Sequence, residues 1–129
     1  MNGYLLDTSV ALFAVSTPEL LQARVRKAIE QGPAFLSVVA YWEVMIKSMK
    51  GTIDVGDPRL WFGHTVESLS LRTLLYRPEH VSALHLLPSI HQDPFDRALI
   101  GQATAEQLTL LTTDATISRY ASGSLRVIR

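Results

Sequence analysis

At 129 residues the chain is long enough for one domain with a genuine core, and a hydrophobic share of 47% excludes an intrinsically disordered segment. Twelve basic against twelve acidic residues give a formal charge of zero, so any grip on RNA must come from a local patch, a dimer or a metal. There is no cysteine for a disulfide or a thiolate metal site, no apolar run of the roughly 18 residues a membrane span needs, and no basic leader before the first apolar run, which together predict a cytoplasmic protein.

Residues 3–7 read as a strand ending at Asp7, and 9–15 as a short apolar helical turn. Thr17-Pro18-Glu19 is a helix start, with threonine as cap and proline in the first turn, for a helix to Gln31 that Gly32-Pro33 stops. Residues 34–37 form a second strand, followed by a helix over about 38–50 that ends at Gly51. The stretch 51–58 is irregular and reads as a loop; Asp57-Pro58 then opens a helix to about 69. A third strand over 71–75 and a helix over 78–87 follow, and Asp93-Pro94 starts a helix to about 107. A fourth strand over 108–112, a short helix over 115–120 and an edge strand over 125–128 complete the chain. Alternating apolar strands and helices predict an α/β fold around a mostly parallel sheet, in a single domain over 1–129.

Four carboxylates lie beside apolar segments rather than on solvated faces, where an unpaired charge is costly. Asp7 closes the first strand, and open α/β sheets bind ligands beyond the carboxyl ends of their strands; the alternative is a helix N-cap. Asp114 occupies the same kind of position after the fourth strand, with the same alternative. Glu43 borders the apolar stripe of Val38, Trp42, Met45, Ile46 and Met49, and either pairs with Lys47 at i+4 on the surface or reaches the rim of the sheet. Asp93 before Pro94 reads mainly as an N-cap, which puts Asp96 at the third helical position. Arg97 opposes the helix dipole there, so it is expected to answer nearby acids or a phosphate. If these acids converge, they make an all-oxygen site for Mg²⁺ or Mn²⁺, common equipment for phosphodiester cleavage. The four histidines lack zinc spacing, and His91, near enough to orient Asp93, reads mainly as a solvated loop residue. Trp42 reads as core, although Trp42, Trp61 and Phe62 are also candidates for an apolar docking groove.

Four segments in order resemble the PIN-domain family, specifically the VapC-type toxins of bacterial toxin–antitoxin pairs. They are Leu5-Leu6-Asp7-Thr8-Ser9, the run Ser37–Lys47 containing Tyr41-Trp42-Glu43, the run His91–Ala103 containing Asp93-Pro94-Phe95-Asp96-Arg97, and Leu110-Leu111-Thr112-Thr113-Asp114. Small departures are Tyr41 before Trp42 and Gly101 within the third segment. The resemblance implies a three-layer α/β/α sandwich with about five strands, and a toxic Mg²⁺- or Mn²⁺-dependent endoribonuclease neutralised by a cognate antitoxin. It implies that Asp7, Glu43, Asp96 and Asp114 are the catalytic, metal-binding acids. Asp93, Thr8 and Thr112 are subsidiary candidates, and the expected assemblies are a homodimer and a toxin–antitoxin hetero-oligomer, away from any membrane. The alternative is a PIN-like domain that binds RNA or a partner without catalysis. Phosphotransfer folds fit less well: position 9 is serine where a dehalogenase-like Asp-x-Asp requires aspartate, and the paired acids and late lysine of receiver domains are missing.

Overall fold

Short runs of apolar residues make the three central strands short and deeply buried, and each of these ends in a polar cap that launches a helix: Asp7, Ser37 and Asp114. The computed structural model describes residues 3–129; Met1 and Asn2, where the expectation of a missing leader begins, lie outside the described residues. The elements are β1 (Tyr4–Leu6), α1 (Thr8–Ser16), α2 (Ala23–Gln31), β2 (Ala34–Ser37), α3 (Val38–Met49), α4 (Pro58–Ser68), β3 (Arg72–Leu74), α5 (Pro78–Ala83), α6 (Pro94–Glu106), β4 (Thr109–Leu111), α7 (Ala115–Ser118) and β5 (Val127–Ile128).

The five strands pair in the order β3-β2-β1-β4-β5, all parallel. Alternation along each strand divides the core in two. Leu5, Phe35 and Leu110 face one side, where α6 and α7 supply Leu99, Ile100, Ala103 and Ile117. Leu6, Leu36 and Leu111 face the other, where α1, α2 and α4 supply Val10, Ala11, Val25 and Trp61. Helix α3 serves both cores, with Val39 in the first and Ala40 and Val44 in the second. The result is the expected α/β/α sandwich. Among the described residues no helix is long and apolar enough to cross a membrane.

Three helix boundaries differ from expectation. The helix predicted from Thr17 is broken: Pro18–Leu20 is one 3-10 turn, and Leu21 is extended before α2 begins at Ala23. That break turns Leu21 into the core while Leu20 stays exposed. The predicted 78–87 helix becomes α5 plus a 3-10 turn at Leu84–Leu86. The last short helix ends at Ser118, which frees buried Tyr120 to reach the loop before α6. Gly101 has a packing reason: a Cβ there meets the His80 carbonyl oxygen at 3.3 Å, where α5 crosses α6.

Candidate functional site

From β1 the chain moves outward to β2 and β3, then returns to place β4 on the opposite flank of β1. The carboxyl ends of β1 and β4 therefore border a crevice at the point where strand order reverses, the usual ligand position of an open α/β sheet. Asp7 and Asp114 both sit there. Each is the N-cap of the helix that follows, so the cap and crevice readings of these residues hold together. Asp7 Oδ1 accepts from Val10 N at 2.8 Å, and Asp114 Oδ1 accepts from Thr116 N at 2.7 Å. The Thr112 hydroxyl joins the two strand ends, donating to Asp7 Oδ2 at 2.5 Å while its oxygen accepts from Asp114 N at 2.9 Å. Asp7 is left only 2% exposed.

Glu43 lies in the second turn of α3 and is 4% exposed. Its Oε1 accepts from the Thr8 hydroxyl at 2.6 Å, and its Oε2 accepts from Lys47 Nζ at 2.5 Å. The predicted Lys47 pair forms, but with the carboxylate buried at the rim rather than free on the surface. Asp93 caps α6 by accepting from Asp96 N at 2.9 Å. Asp96, in the first turn of α6, brings Oδ2 to 2.8 Å from His91 Nε2. That approach is a close polar contact rather than an aligned hydrogen bond, because the imidazole nitrogen points off the line to the carboxylate. Asp114 Oδ2 lies 3.5 Å from the same nitrogen.

Two sets of donor atoms gather within 4.8 Å of one another: Glu43, Asp93 and Asp96, and His91, Asp96 and Asp114. Asp96 belongs to both. Asp7 belongs to neither, yet its charge acts on the cluster through Asp96 and Glu43. Burial pushes the Asp7 carboxyl up from 3.8 to about 6, with Asp96 and Glu43 adding repulsion against the lowering bonds from Thr112 and Val10. Burial likewise pushes Asp96 up to about 6, reinforced by Asp93 and Glu43 and opposed by His91. A divalent cation relieves that repulsion. The all-oxygen set of Glu43, Asp93 and Asp96 suits a hard ion such as Mg²⁺ or Mn²⁺, so the residues present fit the metal the sequence implies.

A third acid–histidine group, Glu79, His80 and Glu106, serves structure instead. His80 Nδ1 accepts from Arg77 N at 3.0 Å, so Nε2 carries the proton and donates to Glu106 at 2.9 Å. That nitrogen has no lone pair to offer a metal.

Three expectations need correction. His91 is not a solvated loop residue: it stands between Asp96 and Asp114, and the buried hydroxyl of Tyr120 holds its backbone N–H at 2.8 Å. Arg97 answers carbonyls rather than acids or a phosphate; its Nη1 donates to Pro88 O, His91 O and the Tyr120 hydroxyl and so braces the same loop. Trp42 is not core. It is 56% exposed and packs edge-on against Phe95 at 4.9 Å. Nothing in periodicity reveals His91 or Trp42; the one sequence cue to His91 is its place two residues before the Asp93-Pro94 cap. Trp61 is buried beside a cavity of about 630 Å³ between α1, the 51–57 loop and α4, lined also by Leu12, Phe13, Ile53, Val55 and Leu60. Phe62 stacks on Tyr41 at 5.2 Å.

An all-parallel five-stranded sandwich with acids at the β1/β4 crevice defines an α/β protein whose usual ligand position is lined by carboxylates. The family model of the PIN domain matches residues 4–123, and the chain belongs to that family. No curated protein sequence matches it. Among solved structures it resembles the VapBC complex of Salmonella typhimurium bound to DNA, with a TM-score of 0.72, 16% identity and 99% and 98% of the two chains covered. It is similar in the same way to VapBC2 of Rickettsia felis bound to a fragment of its promoter, with a TM-score of 0.71, 16% identity and the same coverage. VapBC-5 of Mycobacterium tuberculosis follows with a TM-score of 0.62, 21% identity and coverage of 99% and 98%. At these identities the likeness establishes the fold.

Proposed function

We propose that this chain is the toxin of a toxin–antitoxin pair and acts as a Mg²⁺- or Mn²⁺-dependent endoribonuclease in the cytoplasm. One observation carries the reading: Glu43, Asp93, Asp96 and Asp114 come from three helices and meet through Asp96, beside buried Asp7. Glu43, Asp96 and Asp93 would hold the ion, with Asp7 and Asp114 completing the acid wall. A bound cation there supplies activated water at neutral pH and stabilises charge on the scissile phosphate. The chain's own groups set the geometry. Val10 N and the Thr112 hydroxyl fix both oxygens of Asp7, and the Thr8 hydroxyl fixes Glu43 Oε1. Such outer bonds orient the carboxylates before the ion arrives. The family membership supports a nuclease, and the VapBC neighbours support an antitoxin partner.

The test is incubation of total RNA with purified protein in Mg²⁺ or in EDTA, beside the Asp96→Asn variant. Cleavage in Mg²⁺ alone, lost in the variant, is the expected result. Cleavage that survives EDTA removes the metal from the reaction. A second reading, a non-catalytic RNA- or partner-binding PIN domain, rests on one feature: Lys47 already supplies counter-charge to Glu43, and His91 already occupies the space beside Asp96. It predicts RNA or partner binding without cleavage in either condition. Homodimerisation and a hetero-oligomer with the antitoxin are part of the proposal, read by light scattering of the toxin alone and with its partner.

A further inference from the structure

Two side chains of α3 flank Glu43 and have no structural task that accounts for their exposure. Lys47 spends one donor on Glu43 Oε2, yet its side chain is 42% exposed. An ammonium carries three donors, so the others point to solvent at the mouth of the acid cluster. Trp42 presents more than half of its surface to solvent and rests one edge on Phe95, next to Asp96 in the first turn of α6. An exposed indole held on another ring is rigid, so contact with its open face costs little further ordering. The two residues stand about 140° apart around α3, and both lean to the start of α6: Trp42 rests on Phe95, and Lys47 feels the charges of Asp93 and Asp96. Arg97, the other cation beside Asp96 in sequence, is occupied with the carbonyls of Pro88 and His91.

We propose that Trp42 and Lys47 form a single-stranded RNA subsite beside the acid cluster, the indole stacking on one nucleobase and the ammonium contacting a backbone phosphate. This rests on the nuclease reading above and adds which groups hold the substrate. Stacking suits any base because each has a π-face, and a lysine suits phosphate as a point charge. Position decides for RNA over a protein partner. The apolar cavity beside Trp61 lies between α1 and α4, whereas Trp42 stands against α6 with a cation and the acids at its side.

The experiment uses the full chain carrying Trp61→Phe, so that indole emission reports Trp42 alone, and Asp96→Asn, so that RNA stays intact. A short single-stranded oligoribonucleotide is titrated in Mg²⁺ at several salt concentrations. Binding should quench the emission. Trp42→Ala should weaken binding by roughly five- to hundredfold, and Trp42→Phe should restore part of the loss. Lys47→Met should flatten the plot of log affinity against log salt by about 0.7, the contribution of one phosphate on a single strand. A purely structural lysine that neutralises Glu43 would change Mg²⁺ affinity and leave that slope unmoved. Unchanged affinity in the Trp42 variants, or an unchanged slope in the Lys47 variant, overturns the subsite while leaving the nuclease reading intact. Emission that ignores RNA and shifts only with a bound protein partner makes this face a protein-docking surface, and the proposal is wrong. If the parent binds no RNA and the unmodified chain cleaves none, both readings fall together.

Discussion

Replacing Asp7 by asparagine should make the metal-free protein more stable at neutral pH, the opposite of what loss of a helix cap ordinarily does. The Asp7 carboxyl is almost wholly buried, and burial with the neighbouring acids raises it from 3.8 to about 6. A rise of that size corresponds to about 3 kcal/mol held against the folded state once the group is ionised. The folded protein binds the proton more tightly than the unfolded chain. The favourable contribution is therefore complete below pH 3.8 and is lost as pH climbs through about 6. Asparagine keeps the volume and an oxygen for Val10 N, but it must turn an N–H₂ toward the Thr112 hydroxyl, which costs part of the gain. A net stabilisation of about 2 kcal/mol above pH 7 remains, or about 5–10 °C in Tm for a domain of this size. Near pH 4 the difference should almost vanish, because wild-type Asp7 is then protonated too.

Thermal melts of wild type and Asp7→Asn in EDTA, from pH 4 to pH 8, give the difference curve directly. Contributions from distant titrating groups cancel to first order when the two proteins are subtracted, while Asp96 and Glu43, relieved of repulsion from Asp7 in the variant, add to the same pH-dependent gain. A variant that is less stable at pH 7.5, or a difference that does not change with pH, refutes the buried-charge account of Asp7. Repeating the melts in Mg²⁺ adds the reverse effect. Wild type should rise with metal by mass action, and the variant should rise less.

Asp96→Asn and Glu43→Gln should each abolish Mg²⁺-dependent RNA cleavage with unaltered circular dichroism, since each removes a ligand charge at nearly constant volume; full activity in either one removes that residue from the mechanism. Tyr120→Phe should cost about 1–3 kcal/mol in denaturant melts, because the Ile90 and His91 amides both lose the phenolic oxygen; faster hydrogen exchange at His91 should accompany it, and unchanged exchange there would show that the loop is held elsewhere. If the antitoxin silences the site by inserting an Arg or Lys toward Asp7 and Asp96, raising Mg²⁺ should weaken its affinity, and alanine in place of that cation should restore cleavage. Affinity independent of Mg²⁺ instead points to inhibition through the remote groove beside Trp61.

The centre of the sheet was legible because β1, β2 and β4 are short apolar runs, each closed by a residue that caps the next helix: Asp7, Ser37 and Asp114. Cap signals are local, so they survive without knowledge of the fold. The break at Leu21 and the early end of the last helix were not legible. Both are settled by distant packing, of Leu21 into the core and of Tyr120 against the loop before α6. The same division runs through the site. Asp7 and Asp114 could be placed at a common edge from strand direction alone, since parallel strands end on one side. Glu43 could be read only as bordering an apolar stripe, because its burial depends on where α3 meets α6. Trp42 misled for a related reason: it lies within the apolar stripe of a helix that both cores use, and a stripe that wide leaves part of itself uncovered.

Zero net charge also acquires a physical meaning. With twelve charges of each sign, long-range steering of a polyanion is weak, and the nearest field RNA meets at the crevice is that of the acids. Attraction must then be made locally, and the order of events follows from that. A divalent ion among Glu43, Asp93 and Asp96 would offset two of their three negative charges and, with Lys47 beside Glu43, bring the local charge close to zero. Lys47 pairs directly with Glu43 and acts on Asp93 and Asp96 only through space, and His91 lies against Asp96 and Asp114, so neither replaces the ion across the whole cluster. On the proposed nuclease reading, the chain cannot capture RNA first and recruit metal afterwards without bringing phosphate against bare carboxylates. Substrate affinity should therefore rise with Mg²⁺ even in variants too damaged to cleave, and in those variants the rise measures charge compensation alone, separate from chemistry.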